Sequence, residues 1–201
     1  MHYPMKSEKH AAQGLKEFVH RIGIPAQVHT DNAKVETLSE WKDFIAKHWI
    51  KATVTEPYTA NQNKCEHEFG AVRIHARIVM EQTKCPEQLW DYVIQYVCYV
   101  RNRTARKALN YRTPIEVLTG DTPDISELFD FEFYEPVSYL NNPDIKFPQA
   151  KRKLGRWVGI AESVGQAMCY YILNENGNII TRSIRLVRSR ILNYLRSAQV
   201  H

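Results

Sequence analysis

Residues 51–73 read KATVTEPYTANQNKCEHEFGAVR, and this stretch decides how the chain is expected to fold. Its first part alternates and is rich in β-branched residues, which predicts a strand that Pro57 ends. The turn that follows leads into a helix with one apolar face, because its apolar residues recur at steps of three and four. These residues are Cys65, Phe69, Val72, Ala76 and Val79.

The segments before this stretch predict a parallel sheet. Residues 7–22 carry apolar side chains at helical spacing and are followed by Gly23, which can close a helix. IPAQVHT then predicts a short strand that ends near Asp31, and residues 36–49 predict a second helix. A strand–helix–strand order of this kind is typical of α/β proteins with a parallel sheet.

The segments after this stretch change in character along the chain. Pro86 is expected to open a long helix, PEQLWDYVIQYVCYVRNRTARKAL, with a buried stripe at Leu89, Val93, Val97 and Val100. A connector rich in proline and turns follows at residues 121–150. GRWVGIAES, AMCYYILN and NIITRSIRLV then predict strands, with a hairpin turn at NENGN, residues 174–178. We therefore expect a first domain at 1–120 and a small β-barrel at 151–201.

Composition narrows the class of protein. The chain has 201 residues, of which 44% are hydrophobic and 24% charged, as in globular proteins. Four scattered cysteines without a CxxC pair argue against a zinc knuckle or a disulfide framework and favour a reduced, nuclear or cytoplasmic protein. The N-terminus lacks the apolar core of a signal peptide, so secretion is not expected. No apolar run approaches the roughly 20 residues that span a bilayer, so no membrane partner is expected.

Three acidic residues form the first candidate site. Asp31 follows a predicted strand, and Glu66 and Glu68 begin the helix after the next strand. Ligands bind at the carboxyl ends of parallel strands, so these carboxylates could converge and hold Mg²⁺. The alternative is that they are ordinary surface charges, because acidic residues at this spacing occur often by chance.

Basic clusters form the second candidate site. The net charge of +5 and the pI of about 9.0 permit an acidic partner such as nucleic acid. Solvated surface charge is the alternative for each cluster. In QAKRKLGRW the cations are interleaved with Trp157, which favours phosphate contact with stacking. Arg182 and Arg188 are expected to share one strand face if that strand continues. The clusters are Arg101/Arg103/Arg106/Lys107, Lys151/Arg152/Lys153/Arg156 and Arg182/Arg185/Arg188/Arg190.

Three ordered segments together carry a family resemblance. They are HTDNAKVET…EPYTANQNKCEHEFGAVR, YRTPIEVLTGDTPDIS and GRWVGIAESVGQAMCYYILNENGNIITRSIRLV. The chain resembles retroviral-type integrases in the version found in copia-like LTR retrotransposons. Those cores carry an Asp-Asn pair after a strand and then PYTPQQNG before the helix with the catalytic glutamate. The matching residues here are Pro57, Tyr58, Thr59, Gln62 and Asn63.

The resemblance implies a fold, a reaction and a set of residues. The fold is a ribonuclease-H-like core followed by a small β-barrel, and the reaction is metal-assisted DNA hydrolysis and strand transfer. Asp31 and Glu66 would be catalytic and would hold Mg²⁺ or Mn²⁺. Strict alignment places the glutamate at His67, so Glu68 remains the alternative to Glu66. The DNA, bound without regard to sequence, would contact Asn63, Arg73, Arg101, Arg103, Lys151, Arg152, Lys153 and Arg156.

One part of the family pattern has no counterpart in this sequence. The family uses three carboxylates, and the first aspartate sits on an early strand ahead of the helix at residues 7–22. We therefore expect an N-terminally truncated core that lacks its first strands, with an incomplete metal site and no appreciable DNA cleavage or joining. A non-catalytic DNA-binding or assembly module from a decayed or domesticated element is the alternative. Homo-oligomerisation is left open.

Overall fold

A computed structural model gives the fold of the chain. The residues that it describes are 10–30, 39–55, 64–141, 144, 146–148, 150–162, 164, 169–183 and 187–189. They fall into two compact units, Met1–Ala71 and Val72–His201. The boundary between the units lies inside a single helix, Lys64–Thr83.

The first unit contains the predicted strand–helix–strand element. Helix α1 (Ala11–Ile22) is followed by strand β1 (Gln27–Thr30), helix α2 (Ser39–Lys47) and strand β2 (Lys51–Val54). The two strands pair in parallel from Gln27↔Lys51 to Thr30↔Val54, which confirms the prediction of a parallel pair. The small core of this unit gathers apolar residues of both helices and the strand entry, namely Leu15, Ile45 and Ile50 with Val19, Val28, Trp41 and Phe44 around them.

Helix α3 (Lys64–Thr83) follows the prediction over only part of its length. Ala76 is buried, and Val72 and Val79 pack against the core of the second unit. The prediction was wrong for the first turns, where Cys65 and Phe69 are exposed. The apolar residues do recur at helical spacing, but those of the first two turns are not buried.

Helix α4 (Trp90–Asn102) is shorter than predicted. Leu89, in a 3₁₀ turn before it, is buried, as are Val93 and Val97, which confirms most of the expected stripe. The helix ends at Asn102 because the chain then folds into a tight loop closed by an Arg106–Arg112 bridge. Consequently Arg106 precedes, and Lys107 begins, a short 3₁₀ helix (Lys107–Leu109), and neither lies on a basic tail of α4.

A short helix and a five-stranded antiparallel sheet complete the second unit. Thr113 and Glu116 form a capping box at the start of helix α5 (Pro114–Thr119). The sheet has the order β6-β5-β4-β3-β7. Its strands are β3 (Pro136–Leu140), β4 (Arg152–Ile160), β5 (Cys169–Asn174), β6 (Ile179–Ser183) and β7 (Val187–Ser189).

Strand β3 lies inside the range expected to be a connector, and it pairs along its whole length with β4. The hairpin at residues 174–178 is confirmed, because Asn174 N donates to Asn178 O at 2.9 Å and joins β5 to β6. NIITRSIRLV was predicted as one strand but is divided between β6 and β7, which lie at opposite edges of the sheet.

The five-stranded sheet curls strongly. Arg182 on β6 donates from Nε to the carbonyl oxygen of Leu140 on β3 at 3.1 Å. Two strands lie between β6 and β3 in the sheet order, so in a flat sheet the axes of β6 and β3 would be about 14 Å apart, which is farther than an arginine side chain reaches. The contact therefore requires the two halves of the sheet to fold toward each other.

The interior of the curled sheet is aromatic. Trp157 is completely buried and lies against Tyr170, Phe131 and Tyr96 with ring centroids 5.7 to 6.0 Å apart. Burial raises the pKa of the Tyr96 phenol, and the nearby Glu132 carboxylate raises it further. Helices α3 and α4 contribute to the same core through Ala76, Val93 and Val97.

Gly155 on β4 has no room for a side chain. A Cβ there would lie 2.6 Å from Ile172 Cγ2 and 2.7 Å from the Leu173 carbonyl oxygen. We expect Gly155→Ala to lower the free energy of unfolding by about 1–3 kcal/mol in urea denaturation, because β5 would have to move. Gly70→Ala is the matched control, since a Cβ there meets nothing within 4 Å. It should stabilise helix α3 by about 1 kcal/mol. Equal stability of Gly155→Ala and the wild type would contradict the tight fit.

Candidate nucleic-acid interface and metal site

The predicted carboxylates lie at the ends of described elements. Strand β1 ends at Thr30, immediately before Asp31, and Glu66 is exposed in the first turn of α3. Glu68 is exposed on the same helix. Asp31 and Asn63 lie outside the described residues, so their convergence with Glu66 stays a prediction.

A polar ladder fixes the strand ends beside Asp31. Gln27 Nε2 donates to Thr53 Oγ1 at 2.8 Å, and Thr53 Oγ1 lies 2.9 Å from His29 Nδ1. Thr55 Oγ1 donates to the Thr30 carbonyl oxygen at 3.1 Å and lies 3.0 Å from His29 Nε2. Since the Thr55 hydroxyl proton is committed to Thr30, Nε2 of His29 is the donor in that pair and Nδ1 accepts from Thr53.

This ladder was missed in the sequence. Its signal is a polar residue at every second position of each segment, at Gln27 and His29 in the first and at Thr53 and Thr55 in the second. Residues two positions apart share a strand face, so all four lie on one face of the pair. The opposite face carries Val28, which packs on α1 and α2. The ladder ties the end of β1 to the end of β2.

Carboxylate oxygens are the donors that Mg²⁺ and Mn²⁺ prefer, so Asp31 and Glu66 fit such an ion in chemical type. Within the described parts of the chain, no group of three His, Cys, Asp or Glu side chains is arranged to hold a metal ion. The metal site therefore rests on the sequence and not on observed geometry.

Two arginines that were predicted to contact DNA have partners within the protein. Arg101 donates from Nη1 to His75 Nδ1 at 3.0 Å beside an apolar groove between α3 and α4. Cζ of Arg103 lies over the Tyr99 ring, 3.4 Å from its centroid, and Nη2 pairs with Glu162 Oε1 at 3.3 Å. Burial lowers the pKa of the Arg103 guanidinium, while Glu162 opposes that shift. The Arg103 side chain is only 12% exposed, so it clamps α4 to the end of β4.

The second basic cluster contains two held and two free cations. Arg152 donates to the Ser138 carbonyl oxygen at 2.8 Å, and Arg156 donates to the Tyr134 carbonyl oxygen at 3.2 Å. Lys151 and Lys153 are exposed, and neither forms an ion pair or a side-chain hydrogen bond among the described residues. These two lysines are therefore the freest phosphate-binding groups of the cluster.

One expectation about the basic clusters was wrong. Trp157 cannot stack on a base, because its ring is completely buried in the aromatic core. The expectation for Arg182 and Arg188 depended on one continuous strand, and that condition is not met, because Arg182 lies on β6 and Arg188 on β7 at opposite edges of the sheet. Arg185 and Arg190 of the same cluster lie outside the described residues.

Comparison with known proteins connects this chain to mobile elements. No family model matches the sequence. The chain is 24% identical over 103 residues to the retrovirus-related Pol polyprotein from transposon TNT 1-94 of Nicotiana tabacum. The match covers 51% of this chain but only 8% of the polyprotein, so the chain spans a small part of its relative.

Comparison of the fold with solved structures gives a second match. A chain in the cryo-EM structure of the simian T-cell lymphotropic virus intasome in complex with PP2A regulatory subunit B56 gamma matches with a TM-score of 0.51. The match covers 94% of this chain and 66% of that chain at 15% sequence identity. The chain contains an integrase-like region.

The fold match extends over nearly the whole chain, so it includes helices as well as the antiparallel sheet. None of the described helices is long and apolar enough to cross a membrane.

Proposed function

We propose that this chain is a DNA-binding part of a retrotransposon integrase. Its parental reaction is metal-assisted hydrolysis of a phosphodiester bond followed by joining of element DNA to target DNA. The sequence match to a transposon polyprotein and the fold match to a chain of a retroviral intasome support this proposal.

The observation that carries DNA binding is the pair of free lysines at the start of β4. Lys151 and Lys153 are exposed two positions apart on an extended segment, so their Cα atoms lie about 6.6 Å apart. Lysine carries its ammonium group on a long flexible stem, so both groups can reach phosphates of one strand. Phosphate contacts carry no base information, so we propose binding without sequence preference.

Asp31 and Glu66 would hold the metal ion of the parental reaction. Bound Mg²⁺ would stabilise charge on the attacking and leaving oxygens of the displaced phosphodiester. These two carboxylates would hold the ion in place. The hydrogen bonds of His29 to Thr53 and Thr55 would keep the end of β1 in register with β2.

Substitution of either carboxylate tests the metal site. We expect Asp31→Asn and Glu66→Gln each to weaken Mn²⁺ binding at least about tenfold, measured by electron paramagnetic resonance of free Mn²⁺. Loss of an outer partner alone costs metal sites about that much. Glu68→Gln is the matched control. If Glu68→Gln lost the ion and Glu66→Gln kept it, the site would stand with Glu68 as its ligand.

A non-catalytic DNA-binding or assembly module is the second candidate. It is favoured by the placement of Lys151 and Lys153 in the second unit, whose large core is built without residues of β1 or β2. DNA binding could therefore persist without the carboxylates. Mn²⁺ binding that no carboxylate variant changes would favour this module, whereas metal-dependent nicking of labelled DNA above an Asp31→Asn control would favour the enzyme.

A further inference from the structure

Helix α3, the turn after it and the start of α4 line an open groove of about 560 Å³. Arg73, Arg77, Lys84 and Trp90 are among the residues that line it. Trp90 is 55% exposed, although large aromatic rings are usually covered. The groove therefore combines a stacking surface with cations.

Two of the cations lie on one stripe of α3, and the third follows the end of the helix. At about 100° per residue, Arg73 and Arg77 lie roughly 40° apart around the helix and about 6 Å apart along its axis. Lys84 comes directly after Thr83, where α3 ends, and has a positive φ of 54°. Cations on the helix and just beyond its end allow contacts to more than one phosphate of a nucleotide strand.

Two of these cations are free to bind a phosphate. Arg77 and Lys84 form no ion pair and no side-chain hydrogen bond among the described residues. Glu81 and Glu87 also line the groove, but neither is paired with a cation of the described chain. Three cations against two carboxylates leave the groove with a net positive charge.

We propose that this groove binds an unpaired nucleotide at a DNA end, with the base stacked on Trp90 and the flanking phosphates held by Arg77 and Lys84. This inference rests on the proposed function, since it assigns part of the DNA to one surface. The occupant is unpaired because the faces of a base inside a duplex are covered by its neighbours. An exposed aromatic ring next to cations is how proteins hold single-stranded nucleic acid without reading its sequence.

The test separates stacking from charge with three DNA probes of one duplex sequence. One probe is blunt, one carries a five-nucleotide single-stranded extension, and one carries the same extension built from abasic nucleotides. Affinities are measured by fluorescence anisotropy with the full chain. The wild type should bind the extension with bases roughly tenfold more tightly than the abasic extension, which is the size of one base–aromatic stack.

Variants locate that effect in the groove. Trp90→Leu should abolish the preference for bases and leave affinity for the blunt duplex unchanged, whereas Trp49→Leu, at a ring 94% exposed in the first unit, should change neither. Arg77→Ala/Lys84→Ala should weaken binding of both extensions several-fold compared with Lys42→Ala/Lys47→Ala. The double variant removes exposed, unpaired side chains and is expected to fold even if Trp90→Leu does not.

Each outcome decides the proposal. Equal affinity of the wild type for base-bearing and abasic extensions would overturn it while leaving duplex binding, and so the proposed function, intact. A base preference that survives Trp90→Leu, or no effect of the double cation variant, would also overturn it. Absence of binding to every probe at low salt would instead refute the proposed function on which it rests.

Discussion

Raising the salt concentration from 50 to 200 mM should weaken binding of this chain to an unrelated DNA duplex by about a hundredfold. Each phosphate contact contributes about 0.9 to the slope of log affinity against log salt, and four contacts produce a loss of that size. Lys151 and Lys153 would supply two of these contacts, because both are exposed and unpaired in the described chain.

The double variant Lys151→Ala/Lys153→Ala makes this expectation specific. Its slope should fall by about two, so the same change in salt should cost it only about tenfold in affinity. Lys42→Ala/Lys47→Ala removes two exposed lysines of helix α2 and is the matched control. A flat salt response of the wild type, or a slope that the β4 variant leaves unchanged, would count against binding through these lysines.

Trp157→Ala should lower the free energy of unfolding by about 3–5 kcal/mol, the usual cost of deleting a buried aromatic ring. The ring is completely buried and touches Phe131, Tyr96 and Tyr170, which come from three different segments. Urea denaturation followed by far-ultraviolet circular dichroism measures the change. Trp49→Ala, at a ring 94% exposed, should change stability by less than about 0.5 kcal/mol.

A second substitution at the same position separates the ring from its polar atom. Trp157 Nε1 is buried and has no hydrogen-bond partner in the described part of the chain, and such an unpaired donor itself costs free energy. Trp157→Phe removes that donor while keeping an aromatic ring, so it should cost clearly less than Trp157→Ala. Equal losses for the two variants would show that ring packing does not dominate at this site.

Local patterns in the sequence predicted the elements well where each one is short and flanked by clear signals. The parallel β1–β2 pair followed from two β-branched segments separated by a helix, and the hairpin at 174–178 followed from its Asn and Gly residues. The end of α4 could not be predicted in this way. It depends on the Arg106–Arg112 bridge, a contact that helix periodicity does not encode.

Charge and residue type predicted the candidate binding surface less well than local sequence patterns predicted the helices and strands. Arg103 and Lys153 look equivalent in a list of cations, but Arg103 is held between Tyr99 and Glu162, whereas Lys153 is exposed. Trp157 and Trp90 likewise look equivalent until burial separates them. Whether a side chain is free depends on contacts distant in sequence, so only the fold can decide it.

The shared core of the second unit limits how this protein can be divided. Trp157 and Tyr170 of the curled sheet lie in one cluster with Val93 and Val97 of helix α4. A fragment that begins at residue 151 would keep four strands of the sheet but lose β3 and every helical residue of that cluster. The sheet therefore cannot be separated from the helices that complete its core. Recombination or a deletion that preserves a working DNA-binding fragment should cut ahead of helix α3, which supplies Ala76 to the same cluster, and not between the helices and the strands.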